Sequence, residues 1–272
     1  MTFGLKMLDF LRRLRAKSKL IDALHGYLRE PYYQALELAY PRGVPLLLPG
    51  GNRFRIQPRF LGMNLSNYES RLVDTFCSLI AEGMTVIDVG AHVGIYSLLA
   101  SAKVGPNGNV VAIEPSPANA RLLRQHLDFN QSRNVEVIEA AVADKPGHMS
   151  FNYRPIATDP ASFANSIAYN ISGESANVEV RTLDDICSSL SPAVIKIDVE
   201  GAELLALRGA KKLLVKHRPT VIVAVHPEPM RMLGTTPEQL MSYMSSLAYI
   251  GTTPYGQKVE KPGFEEVVFS TY

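Results

Sequence analysis

The run Val86-Ile87-Asp88-Val89-Gly90-Ala91-His92-Val93-Gly94 is an apolar strand that ends in an acid and breaks into glycines, before Ile95, Tyr96, Leu98 and Leu99 resume at helical spacing. In a parallel sheet such a first turn lies at the carboxyl edge of the strands, where ligands bind. Gly90 and Gly94 let the backbone approach a bound molecule closely. A dinucleotide fingerprint would need glycine where His92 and Ile95 stand, and no Gly-Lys-Ser/Thr follows to cradle a triphosphate. What fits is a cofactor with a nucleoside and a charged amino-acid end but no phosphates.

Glu114 closes the next apolar run, twenty residues after Gly94. A carboxylate there can accept two hydrogen bonds from vicinal ribose hydroxyls, with Pro115 beside it. It can equally cap the helix that Ser116 and Pro117 begin. Asp88 either holds the glycine turn or meets the cofactor through water. Ala141 and Val142, just past the third strand, are placed to flank an adenine or simply to end that strand. Tyr68 and Glu69 can reach an amino-acid moiety, although Ser66-Asn67-Tyr68-Glu69 also has capping-box spacing.

These residues need a scaffold, and the pattern supplies one. The apolar runs Met84–Val89, Val110–Ile113, Val135–Ile138, Val194–Ile197 and Val221–Val225 alternate with helix-like stretches, which argues for an α/β chain with a parallel sheet covered on both faces. Short β-like runs at Tyr249–Thr253 and Glu266–Ser270 flank a Pro/Gly turn and read as a closing antiparallel pair. Thr236-Pro237-Glu238-Gln239 is a second strong helix start. Residues 148–182 interrupt the rhythm and read as an insertion over the strand ends.

The chain has 272 residues, 46% of them apolar, and a net charge of +2, which disfavours wholesale disorder and charge-driven nucleic-acid binding. Cys77 and Cys187 suggest neither a disulfide framework nor a zinc cluster, so a cytoplasmic protein is expected. No apolar run approaches the roughly 20 residues of a membrane span. Leu5, Leu8, Leu11 and Leu14, set among Arg12, Arg13, Arg15, Lys17 and Lys19, predict a basic amphipathic helix. That helix either docks on the main domain or makes weak, salt-sensitive contact with an acidic membrane surface through residues 1–30. The boundary falls near Ser66: residues 1–65 form a helical leader and linker, and residues 66–272 the main domain.

Asp88-Val89-Gly90-Ala91-His92-Val93-Gly94, Thr182-Leu183-Asp184-Asp185, Ile195-Lys196-Ile197-Asp198-Val199-Glu200-Gly201-Ala202-Glu203 and Arg208-Gly209-Ala210 occur in that order. In these blocks the sequence resembles the FkbM family of class I S-adenosylmethionine-dependent methyltransferases, over roughly residues 66–235. The resemblance implies a Rossmann-like, seven-stranded, mostly parallel sheet whose last strand is antiparallel. It implies S-adenosyl-L-methionine as cofactor and Asp88, Gly90, Ala91, His92, Gly94, Glu114, Pro115, Ala141, Glu69 and Asp198 as residues around it. It further implies methyl transfer to a hydroxyl of a sugar, glycolipid, polyketide or similar small acceptor. The family often has Asn at the position of His92 and an acid where this chain has His226.

An alcohol is very weakly acidic, so a base must take its proton as the new bond forms, or a metal must acidify it beforehand. Asp198 and Glu200 follow one strand and His226 the next. Histidine's ordinary pKa near 6.5 favours His226 as base, with Asp198 orienting it or contacting the cofactor and Glu200 beside them. Helix capping by the two acids, and a backbone-bonded histidine before Pro227, are the structural alternatives. Asp198, His226 and Glu228 could instead hold a divalent cation. The acceptor would meet Phe151–Ser172, with Tyr153, Phe163 and Tyr169, and the leader. The chain lacks the Asn/Asp-Pro-Pro-aromatic run of nucleic-acid methyltransferases after this strand. A noncatalytic module that uses its leader to meet a membrane or partner is the remaining reading.

Overall fold

Val- and Ile-rich runs bounded by glycine and proline have no polar face to offer solvent, so they pair with one another in the middle of a sheet. The computed structural model describes residues 31–48, 51–62, 69–153, 174–263 and 265–271. The chain divides into two units, Met1–Tyr68 and Glu69–Tyr272. In the first unit a helical stretch at 31–39 precedes an antiparallel hairpin of β1 (Val44–Leu47) and β2 (Arg53–Ile56), registered Val44↔Ile56. A strand pair therefore stands where only a linker is expected, because Val44, Leu46, Phe54 and Ile56 supply a two-residue alternation. The basic leader at 1–30 and Tyr68 lie outside the described residues.

The second unit carries α1 (Ser70–Ser78), β3 (Thr85–Val89), α2 (Ile95–Val104), β4 (Asn109–Ile113), α3 (Pro117–Phe129), β5 (Val135–Ile138) and β6 (Ala141–Val142). Next come β7 (Gly147–Tyr153), β8 (Glu174–Arg181), α4 (Leu183–Ile186), β9 (Val194–Ile197), α5 (Glu203–Arg208) and α6 (Lys211–His217). β10 (Thr220–Val225), α7 (Pro227–Met232), α8 (Pro237–Ser246), β11 (Ile250–Thr252) and β12 (Glu265–Ser270) complete it. Seven strands form one sheet in the order β11-β12-β10-β9-β3-β4-β5. From β10 to β5 every pair is parallel, and β12 runs antiparallel to both its neighbours. The sheet thus has the arrangement that the resemblance implies. Ser116 caps α3 with Pro117 in its first turn, and Thr236 and Gln239 form a complete capping box on α8.

The direction of winding reverses between β3 and β9. On one side β3, β4 and β5 follow each other outward; on the other, β9 and β10 do. The crevice at such a reversal, outside the carboxyl ends of the strands, is where this architecture binds ligands. The interiors of the central strands are sealed: Val86, Ile87, Val110, Ile195, Ile197 and Val223 are each at most 1% exposed.

Two expectations change. The stretch at 148–182 is in part an antiparallel hairpin, with β7 on β8 and β6 parallel to β8, and Phe151, Val178 and Val180 form a small core with Ala141. Alternation hidden among polar residues builds this second sheet; 154–173, with Phe163 and Tyr169, lie outside the described residues. The first helix of the unit starts at Ser70, and Glu69 precedes it with φ +41° and no capping hydrogen bond. Among the described residues no helix is long and apolar enough to cross a membrane.

Gly90 tests how tightly the reversal point is closed. A Cβ there would lie 1.9 Å from the Asp198 carbonyl oxygen at φ +79°, whereas one on Gly147 would meet nothing within 4 Å. Gly90→Ala is expected to destabilise the protein by about 2–4 kcal/mol, and Gly147→Ala by less than about 1 kcal/mol, as read from urea unfolding.

Candidate active site

Strand β3 delivers Asp88 to the carboxyl edge, wholly buried, and its Oδ2 accepts a hydrogen bond from Ser97 at 2.6 Å. Its Oδ1 has no hydrogen-bond partner. Burial pushes this carboxyl above its ordinary pKa, against the pull of Lys196. The glycine turn that follows is tied to the end of β4. The N–H groups of Gly90 and Ala91 both donate to the Ile113 carbonyl, and that of His92 donates to Glu114 Oε2 at 2.8 Å. All three are engaged, which suits a ligand without phosphates.

His92 sits at φ +53°, in the left-handed region where Asn, Asp and His are the side chains best tolerated. That explains why histidine can stand where the related family often has asparagine. Burial lowers its pKa to about 4, so the ring is neutral at pH 7. Gly94, at φ +88°, brings the turn against Leu123 so closely that a Cβ would lie 2.2 Å from Leu123 Cδ1.

Glu114 takes the helix-capping role considered for it and also ties down the glycine turn, a role considered for Asp88. Oε1 accepts the Ser116 N–H at 3.0 Å and the Asn119 amide at 3.2 Å, anchoring the start of α3, while Oε2 holds the glycine turn. Oε2 therefore keeps acceptor capacity for a further donor. Burial pushes this carboxyl up to about 7, against the three N–H donors that pull it down. Pro115 beside it is half-buried. Ala141 is 8% exposed and packs with Phe151, Val178 and Val180.

Sequence reasoning passed over Lys196. The register of β3 on β9 pairs Asp88 with Lys196, so a lysine that is 2% exposed lies beside a buried acid. Its Nζ is 3.0 Å from Asp198 Oδ2 and 4.3 Å from the centre of the Tyr96 ring. The Tyr96 hydroxyl in turn donates to Glu69 Oε2 at 2.5 Å. Burial alone would lower the lysine's pKa, but Asp198, Asp88 and Glu69 outweigh it and hold it above the ordinary value. Asp198 is likewise held below its ordinary value, since Lys196 and His226 overcome burial. One lysine inside an otherwise apolar strand was the signal, because a buried charge requires a partner.

Beside this pair, His226 faces three carboxylates. Its Nδ1 lies 2.8 Å from Glu203 Oε1, and its Nε2 lies 3.5 Å from Glu200 Oε2 and 3.9 Å from Asp198 Oδ1. Burial would lower its pKa, but the hydrogen bond to Glu203 and the charges of Glu200, Glu203 and Asp198 raise it to about 9. The expectation of a neutral histidine waiting as base is thereby corrected: without another cation the ring is already protonated at pH 7. Glu203, not Asp198, orients it. Glu200 has φ +52°, and burial raises its carboxyl to about 7. Glu228 is exposed and lies outside the cluster, which comprises Asp198, Glu200 and His226. Glu266 on β12, opposite Ala224, adds a further carboxylate whose charge acts on Asp198 and Glu69.

The profile of the methyltransferase FkbM domain matches residues 88–250, more than half the chain. A protein-L-isoaspartate O-methyltransferase of Methanothrix thermoacetophila is 29% identical over 127 residues, 45% of this chain and 59% of that protein. The hexuronic acid methyltransferase AglP of Haloferax volcanii is 29% identical over 144 residues, 51% of this chain and 54% of that protein. The chain thus aligns with little more than half the length of these relatives. Among solved structures, the methyltransferase FkbM of Methylobacillus flagellatus KT superposes with a TM-score of 0.46 at 19% identity, covering 78% of this chain and 53% of that one.

Lys196→Met leaves the buried Asp88 without its neighbouring cation and the partly exposed Asp198 without its ion pair. It is expected to lower the unfolding free energy by about 3–5 kcal/mol at pH 7. Urea denaturation measures this, and a loss under about 1 kcal/mol would mean that the two carboxylates do not depend on the lysine.

Proposed function

Because the chain belongs to the FkbM methyltransferase family, we propose that it transfers a methyl group from S-adenosyl-L-methionine to a hydroxyl oxygen of a small acceptor such as a sugar, glycolipid or polyketide. S-adenosyl-L-methionine is the cofactor of this class of methyltransferase. The observation that carries the reading is the meeting of two residue sets at one sheet edge. Asp88 and Glu114 end β3 and β4; Asp198, Glu200 and His226 follow β9 and β10, across the point where the winding reverses.

The residues present fit the cofactor. Asp88 Oδ1 is a buried acceptor lacking a partner, suited to an ammonium group or a bridging water. Glu114 Oε2 has acceptor capacity left for a ribose hydroxyl, and Gly90 and Gly94 hold the turn between them. When bound, S-adenosyl-L-methionine supplies an electrophilic methyl carbon. The protein's task is then to orient the acceptor and receive its proton, and positioning alone can remove about 7–11 kcal/mol of a barrier. The side chains of Asp198 and Glu200 are 26% and 23% exposed, so both can meet an acceptor hydroxyl from the open side.

The relative named as a protein-L-isoaspartate O-methyltransferase supports oxygen as the atom methylated, and the one named as a hexuronic acid methyltransferase supports a sugar-derived acceptor. Radiolabelled S-adenosyl-L-methionine with a panel of neutral sugars, uronic acids and glycolipids tests this. A hydroxyl product is an ether and keeps its label in mild alkali, whereas a carboxyl ester releases labelled methanol. Label that is lost in alkali, or no labelled product from any acceptor, counts against hydroxyl transfer.

The ribose role of Glu114 has a pH signature. With a carboxyl pKa of about 7, one oxygen carries a proton below that pH, and both accept above it. Affinity for S-adenosyl-L-methionine is expected to rise about tenfold from pH 6 to pH 8, and Glu114→Gln to bind weakly and without that rise. Calorimetric titration at the two pH values reads both. A wild-type affinity that is flat with pH would remove Glu114 from the ribose.

A further inference from the structure

His226 is not free to turn. Its Nδ1 lies 2.8 Å from Glu203 Oε1, the same oxygen that accepts the Gly201 N–H at 2.8 Å. Glu203 is wholly buried, and its Oε2 has no hydrogen-bond partner. A buried carboxylate behind an imidazole fixes the ring and holds a hydrogen on Nδ1, so that Nε2 faces the opposite side, where a cation that displaces its proton would meet the lone pair. On that opposite side stand Glu200 Oε2 at 3.5 Å and Asp198 Oδ1 at 3.9 Å.

These separations are long for hydrogen bonds, which cluster near 2.7–3.2 Å. They are ordinary for ligands that share an ion: with bonds of about 2.0–2.2 Å, neighbouring donors lie roughly 3–3.6 Å apart and opposite ones about 4.2 Å. The three donor atoms lie within 4.8 Å of one another, and a small rotation of the two partly exposed carboxylates closes the set. Charge points the same way. Asp198, Glu200 and Glu203 surround one ring, and Lys196 pairs with Asp198 alone among the three, at 3.0 Å.

We propose that Asp198 Oδ1, Glu200 Oε2 and His226 Nε2 bind one divalent transition-metal ion, with Glu203 as the positioning residue behind the histidine. One imidazole with two carboxylates suits Mn²⁺, Fe²⁺, Co²⁺ or Zn²⁺ better than Mg²⁺ or Ca²⁺, which favour all-oxygen sets. Open positions on the ion would take the acceptor hydroxyl and lower its pKa, its proton leaving to water at this partly exposed edge as the oxygen takes the methyl group. That last step rests on the methyl-transfer reading; the binding of the ion does not.

The full chain, stripped with chelator and dialysed, is titrated with MnCl₂ in the absence of cofactor and acceptor, by calorimetry and by electron paramagnetic resonance. One ion per chain is expected, with nitrogen coupling from a single imidazole in the pulsed spectrum. Glu203→Gln should weaken Mn²⁺ binding about 10- to 100-fold. Should that buried substitution unfold the protein, the partly exposed Glu200→Gln serves instead and should weaken binding at least about tenfold. Absence of saturable Mn²⁺ and Zn²⁺ binding, a spectrum without nitrogen coupling, or an affinity indifferent to Glu200→Gln overturns the proposal. Methyl transfer that persists in the stripped protein with no ion bound would remove the ion from the reaction and spare the methyltransferase. An ion that binds while no hydroxyl is methylated would do the reverse.

Discussion

The ion pair of Lys196 with Asp198, set beside the buried Asp88, is the constraint on which the rest of this structure depends. β3 and β9 are the strands on either side of the reversal in winding, and their register sets Asp88 against Lys196. A one-residue slip of that register would turn the lysine away from Asp88 and into the apolar layer behind the sheet. A buried lysine and a buried acid at one strand pair are unfavourable apart, so their juxtaposition favours this register, while the Lys196–Asp198 ion pair fills the site. Gly90 closes the same joint by letting the turn after β3 pass against the Asp198 carbonyl.

The second anchor is Glu114, which fastens the glycine turn and the first turn of α3 with one side chain. A functional acid and a helix-capping acid look like rivals in a sequence, but a carboxylate has enough lone pairs to be both. The surface offered to the cofactor is therefore rigid by construction. Moving Glu114 would move the turn, the helix start and the acceptor atom together.

The strands were legible because their apolar runs are long, β-branched and bounded by glycine or proline; the helix starts at Ser116 and Thr236 were legible because capping chemistry is local. Register is not local. Nothing near Lys196 in sequence announces that Asp88 will lie beside it, and an apolar strand with one lysine reads at first as core. The same limit hid Glu203, which looks like an ordinary first-turn acid of α5 until His226 is seen behind it. The hairpin of β7 and β8 was missed for another reason: its alternation of Met149, Phe151, Ala176, Val178 and Val180 is diluted by polar partners. Positions such as His92 show the opposite case, where the backbone conformation explains a residue that motif comparison left odd.

Asp198 joins the two halves of the site, because its oxygens face different partners. Oδ2 is held by Lys196 at 3.0 Å, and Oδ1 lies on the side of His226. The lysine therefore neutralises the part of the carboxylate nearest Asp88 and leaves the other oxygen to the acid-rich edge formed with Glu200, Glu203 and Glu266. Lys196 and His226 offset part of the acidic charge at this edge, and a further cation held there would offset more. On the proposed methyl-transfer reading, the choice of acceptor would depend on how the charge at this one strand end is balanced, and not on the shape of a cleft alone.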